Sequence, residues 1–119
     1  MNKIIKMLIK EAIHNNVLYH TRTTTGDKYS IFDNNKEILS INDGWATNYY
    51  SIYVNGKNIL SVKWDETNSR PLSNDQKDML DIINAAKEKI DLQETVQTMN
   101  DRELELAQFL QKLLCGIKP

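Results

Sequence analysis

The chain offers two histidines, His14 and His20, and one thiol, Cys115, for nucleophilic or acid–base chemistry. Such catalysis needs these groups to converge with a base or an orienting partner. Cys115 lies in an apolar helix end, Leu113-Leu114-Cys115-Gly116, where a buried, inert thiol is the usual outcome. His14 falls near a helix C-terminus, a position the helix dipole alone explains. Two histidines six residues apart, with no CxxC or HExxH, give no metal-binding spacing. There is no Walker loop, GxGxxG or GxSxG, and four glycines leave little for a phosphate cradle. No catalytic residue, metal site or cofactor is expected, and the chain reads as a non-enzyme.

Two binding chemistries remain. Arg22, Thr23, Thr24, Thr25 and Lys28 cluster hydroxyls and cations around Gly26-Asp27, where they could hold an anion through charge-assisted hydrogen bonds. Beside them Tyr19, Tyr29, Trp45, Tyr49, Tyr50, Tyr53 and Trp64 mix with Lys36, Lys57 and Lys63, as in single-strand nucleic-acid binders. That supports an alternative reading as a nucleotide or single-stranded nucleic-acid binder. Against it, threonines favour strands for their own sake and Asp33, Glu37 and Asp43 interrupt the cations. Lysines at hairpin turns also serve solubility.

The elements that must position these residues are announced by an internal repeat. Residues 29–41 read YSIFDNNKEILSI and residues 50–62 read YSIYVNGKNILSV, with eight of thirteen positions identical. Asn55-Gly56 is a strong signal for a two-residue type I′ turn, and Asn34-Asn35 a weaker one. Centring the turns there pairs Phe32 with Glu37, Ile31 with Ile38 and Ser30 with Leu39. The second copy pairs Tyr53 with Asn58, Ile52 with Ile59 and Ser51 with Leu60.

Strict alternation then makes two faces. One carries Tyr29, Ile31, Ile38, Tyr50, Ile52 and Ile59. The other carries Phe32, Leu39, Ile41, Tyr53, Leu60, Val62 and Trp64, and its more consistent apolarity makes it the expected core. A further strand is expected over Val17–Thr24, turning at Gly26-Asp27. The first face is then a half-wet surface for a partner or a seat for a helix.

Apolar residues at helical spacing (Ile5, Leu8, Ile9, Ala12, Ile13) predict an N-terminal helix whose stripe packs on the sheet. A polar loop is expected at 65–72. Ser73 with Gln76 and Asn100 with Glu103 are capping-box patterns that start helices in the region 73–116. One or two helices fit residues 73–99. The last helix carries Leu104, Ala107, Leu110, Leu113 and Leu114 on one stripe, with Leu106 and Phe109 off it. Apolar excess on a terminal helix marks docking onto a partner or a second copy. Its acidic first turns exclude a recognition helix for DNA.

The expectation is a single α+β domain: helix over 1–16, antiparallel meander of about five strands over 17–64, loop over 65–72, then two or three helices over 73–116. The 119 residues suffice for a core without disulfides. One cysteine forbids an internal disulfide and fits a cytoplasmic protein. No run of 18 apolar residues spans a membrane. Net charge is −1, but residues 1–70 hold 9 basic and 7 acidic residues and 71–119 hold 6 and 9, so the parts carry +2 and −3. Unlike surfaces of this kind suit self-association. Abundant Asn and Ile associate with AT-rich bacterial or phage genomes. Together these point to a small protein-binding inhibitor or adaptor that forms a homodimer, with Tyr29, Ile31, Ile38, Trp45, Tyr50, Ile52, Ile59, Leu106 and Phe109 as its partner-binding residues.

Overall fold

Both copies of the repeat spend their asparagines and glycine at the turn, because a type I′ turn needs positive φ at both central residues. In the computed structural model Asn34 (φ 51°) and Asn35 (63°) close one hairpin, Asn55 (51°) and Gly56 (77°) the other. The structure describes residues 1–64 and 72–114. Cys115, Gly116 and all of the expected polar loop except Leu72 lie outside them.

The elements are α1 (Lys3–Asn15), β1 (Tyr19–Arg22), β2 (Asp27–Asp33), β3 (Lys36–Gly44), β4 (Tyr49–Val54), β5 (Lys57–Lys63), α2 (Asn74–Thr98) and α3 (Asp101–Leu114). The strands form one antiparallel meander in the order β1-β2-β3-β4-β5. The α+β architecture is therefore as expected. Residues 74–98 are one helix, opened by the Ser73–Gln76 capping box.

The register departs from the expected one after the first pair. Phe32 faces Glu37 and Tyr53 faces Asn58, but Ile31 then faces Leu39, and Ile52 faces Leu60. Ile38 and Ile59 are each an extra residue, a β-bulge repeated in both hairpins. The returning strands carry two adjacent apolar residues, Ile38-Leu39 and Ile59-Leu60, which strict alternation would send to opposite faces. A bulge turns both towards the same side. On its other edge β3 continues its pairing with β4, the Ile38 carbonyl accepting from the Asn55 N–H at 2.8 Å.

This corrects the assignment of the two faces. Tyr29, Ile31 and Ile52 join Leu39, Ile41, Leu60 and Val62 in one buried core with Ile9, Ile13, Met79, Ile82, Ile83 and Ala86 of α1 and α2. Of the two expectations for the face bearing Tyr29, Ile31 and Ile52, partner surface or helix seat, β2 and β4 show the helix-covered one, while Phe32 and Tyr53, expected in the core, are exposed. The opposite face combines the exposed rings of Tyr19, Phe32 and Tyr53 with a hydrogen-bonded polar network. Ser30 donates to Glu37, and the Asn42 amide bridges Ser40 and Ser51.

α1 and α2 lie side by side and parallel. Lys6 Nζ reaches Asp81 at 2.6 Å, Lys89 Nζ donates to the His14 carbonyl at 2.7 Å, and the Gln93 amide pairs with both Leu18 N–H and C=O at 2.8 Å. Each contact spans the same 75 residues. α1 sits over the hairpin-tip end, against Ile31, Ile38, Leu39 and Val54. α2 sits over the end where Asp27, Asp43 and Asn48 lie.

Candidate partner-binding surfaces

Helix α3 is built to be a helix but not to stand alone. Asn100 Oδ1 caps it by accepting from Glu103 N–H at 2.9 Å, Asp101 and Glu103 suit its N-terminus and Lys112 its last turn. Its one strong face is apolar. Leu106, Phe109, Leu110, Leu113 and Leu114 are 45–76 % exposed, and no residue of α3 is buried. Fourteen residues are marginal for an isolated helix in water, so such a helix owes its stability to packing.

A second uncovered apolar surface runs beside α1. The sequence pattern predicts that all five residues of the α1 stripe pack on the sheet, but only Ile9 and Ile13 are buried. Ile5 and Leu8 are about half exposed. They line a groove of about 450 Å³ with Ala12, Ile31, Ile38 and Val54. The stripe is wider than the sheet contact because α1 rests near the hairpin tips, where the sheet ends.

At the opposite end lies a cleft of about 330 Å³ in which Asp27, Asp43 and Lys87 sit among Trp45, Tyr50, Trp64 and apolar residues of α2. Asp27 and Asp43 are directly paired across β2 and β3. Asp27 Oδ1 lies 2.7 Å from His20 Nε2 and 3.0 Å from Arg22 Nε, and Oδ2 accepts from the Trp45 indole at 3.0 Å. Burial raises the Asp27 pKa, but those donors and the Arg22 charge outweigh it and hold the carboxyl below the usual range. Asp43, with its side chain 5 % exposed, faces Lys87 Nζ at 3.4 Å. Burial, with both carboxylates nearby, pushes the Tyr29 hydroxyl up to about 12. Gly26 lets the chain pass this close, since a Cβ there would stand 1.9 Å from the Asp43 carbonyl oxygen. The charges here are matched to one another and tie the two turns together.

The anion-site residues do not converge. Arg22 pairs with Asp27 on the helix-covered face, whereas Lys28 is one position on, faces the other way and binds Glu37 at 3.0 Å. Thr23 Oγ1 closes its own turn, accepting from Gly26 N–H and donating to Gly26 O. Thr24 and Thr25 lie in that turn. Of the expected partner residues, Tyr29, Ile31 and Ile52 are buried, and Ile38, Tyr50 and Ile59 are half-buried against the core. Trp45, Leu106 and Phe109 are exposed, though the Trp45 ring is held by Asp27 and by the Arg22 guanidinium 5.7 Å away. Of these, Leu106 and Phe109 are exposed with no ring or hydrogen-bond contact like that of Trp45 among the described contacts.

Sequence reasoning missed the groove on α1 and the Asp27–Asp43 pair. The cue for the pair was Gly26 and Gly44 flanking two carboxylates that the meander brings level. Among the described residues no group of three His, Cys, Asp or Glu could hold a metal ion. None of the described helices is long and apolar enough to cross a membrane. No known protein family, curated protein or solved structure matches the chain.

Proposed function

We propose that this protein is a non-catalytic protein-binding module that pairs with another copy of itself through α3. The observation that carries this reading is the row Leu106, Phe109, Leu110, Leu113 and Leu114, all exposed on a helix with no buried residue. Burying apolar side chains is worth about 1.5–3 kcal/mol each, so leaving five in water is a large standing drive towards association. The charge asymmetry of +2 and −3 between the two parts of the chain favours contact between unlike surfaces. A role as an inhibitor or adaptor, in the cytoplasm of a bacterium or on behalf of a phage, belongs to the same reading. It rests on the binding surface, the single cysteine and the Asn- and Ile-rich composition.

Sedimentation velocity across a dilution series tests it. The wild-type chain is expected to sediment as twice 13.8 kDa and to dissociate on dilution. Leu106→Glu with Phe109→Glu is expected to sediment as a monomer throughout. A wild-type monomer at every concentration removes the reading.

The nucleotide-binding alternative has little to favour it, because Arg22 and Lys28 lie on opposite faces with carboxylate partners of their own.

A further inference from the structure

We infer that the groove between α1 and the hairpin tips is the seat for α3 of a second copy, so that two chains exchange their last helices reciprocally. This rests on the proposed self-pairing through α3 and names the surface that receives it.

The groove lies on an uncovered side of α1. α1 touches α2 on its Lys6 side. Ile5, Leu8 and Ala12 lie about 100–160° round the helix from Lys6, on the side away from α2. There α1 and the sheet residues Ile31, Ile38 and Val54 leave an apolar channel with no charged residue in its lining. α3 is the one described helix with an apolar face and no buried residue.

The link from α2 keeps α3 from lying along the groove of its own chain. Helices pack about 8–10 Å apart, so a helix beyond α1 has its axis about 16–20 Å from α2. Only Met99 and Asn100 join α2 to α3, and that span reaches about 10 Å when fully extended. α1 and the Leu18 backbone clamped by Gln93 stand in the way. A second copy has no such limit. Charge agrees with the exchange at the groove mouth, where Lys57 pairs with Val54 and so shares its face. α3 begins with Asp101, Glu103 and Glu105 against Arg102. Reciprocal exchange also buries both uncovered surfaces twice, in a closed pair with no free α3.

Complementation tests this with full-length chains. Leu8→Asp spoils the groove, and Phe109→Asp spoils the helix; both sites are exposed, and circular dichroism checks each fold. Ile5→Asp replaces Leu8→Asp if that variant does not fold. Each variant alone is expected to weaken pairing about thirtyfold or more. When the two are mixed, one isotopically labelled, native mass spectrometry is expected to show the mixed dimer, which regains one intact groove–helix contact. A wild-type dimer with Leu8→Asp and Ile5→Asp still fully dimeric overturns the groove but leaves pairing through α3 standing. Absence of the mixed dimer also overturns it. A wild-type monomer removes both proposals together.

Discussion

Asp27 does the most work of any single residue among the described ones. Three donors, His20 and Arg22 from β1 and the Trp45 indole from the loop after β3, converge on one half-buried carboxylate. Its native pKa lies below the value of 3.8 it has in the open chain. A depressed carboxylate adds stability that is present above the open-chain value and lost as pH falls through the native one. Asp27→Asn is therefore expected to cost about 1–3 kcal/mol at pH 7, by denaturant titration. The gap from wild type should begin to narrow as pH falls below about 3.8 and close only below the native value, where both chains are neutral at this site. Asp78 is depressed in the same direction by Lys6, so acid loosens the α1–α2 seam in the same window. The single-residue details were the least legible part of the sequence. Nothing in the local pattern around Asp27 says that Asp43 will face it, because that depends on strand register 16 residues away.

The elements were legible where local chemistry decides them. Capping at Ser73, the Asn-Gly turn and helical spacing in α1 all act within a few residues, and all placed their elements where they stand. The faces of the sheet were not, because a bulge at Ile38 and again at Ile59 inverts the alternation beyond it. The adjacent Ile-Leu in each returning strand was the available cue. The two turns make a comparison within one molecule. Gly56 has open space where a Cβ would sit, so only its φ of 77° penalises a side chain. Gly56→Ala is expected to cost about 1 kcal/mol. Gly56→Asn should cost clearly less, since Asn35 already adopts φ 63° at the matching place; thermal denaturation separates the two.

The α1–α2 layer has its own test. The Gln93 amide satisfies both backbone groups of Leu18, holding the chain where it leaves α1 for the sheet. Gln93→Ala strands both and is expected to cost about 1–3 kcal/mol in denaturant titration. Gln93→Glu keeps the acceptor for Leu18 N–H but loses the donor for its carbonyl, and should fall between.

At the scale of the whole molecule, one core is complete and one helix is left over. α1, α2 and the meander bury a continuous cluster from Ile9 to Ala86, while α3 and the groove on α1 each keep an apolar face in water. The excess on α3 could be read from the sequence, since its seven apolar residues cover more of the helix than one contact would use, although the exposed face proves to include Leu106 and Phe109 with Leu110, Leu113 and Leu114. The groove could not, because the α1 stripe looks fully used until the sheet is seen to end beneath it. The central claim is that α3 is held by a partner rather than by its own chain. Hydrogen exchange of the amides of residues 101–114, followed at low and high protein concentration, tests it most directly. Protection of α3 is expected to rise with concentration while that of β3 and β4 stays level. Exchange in α3 that is equally fast, or equally slow, at every concentration would contradict the claim.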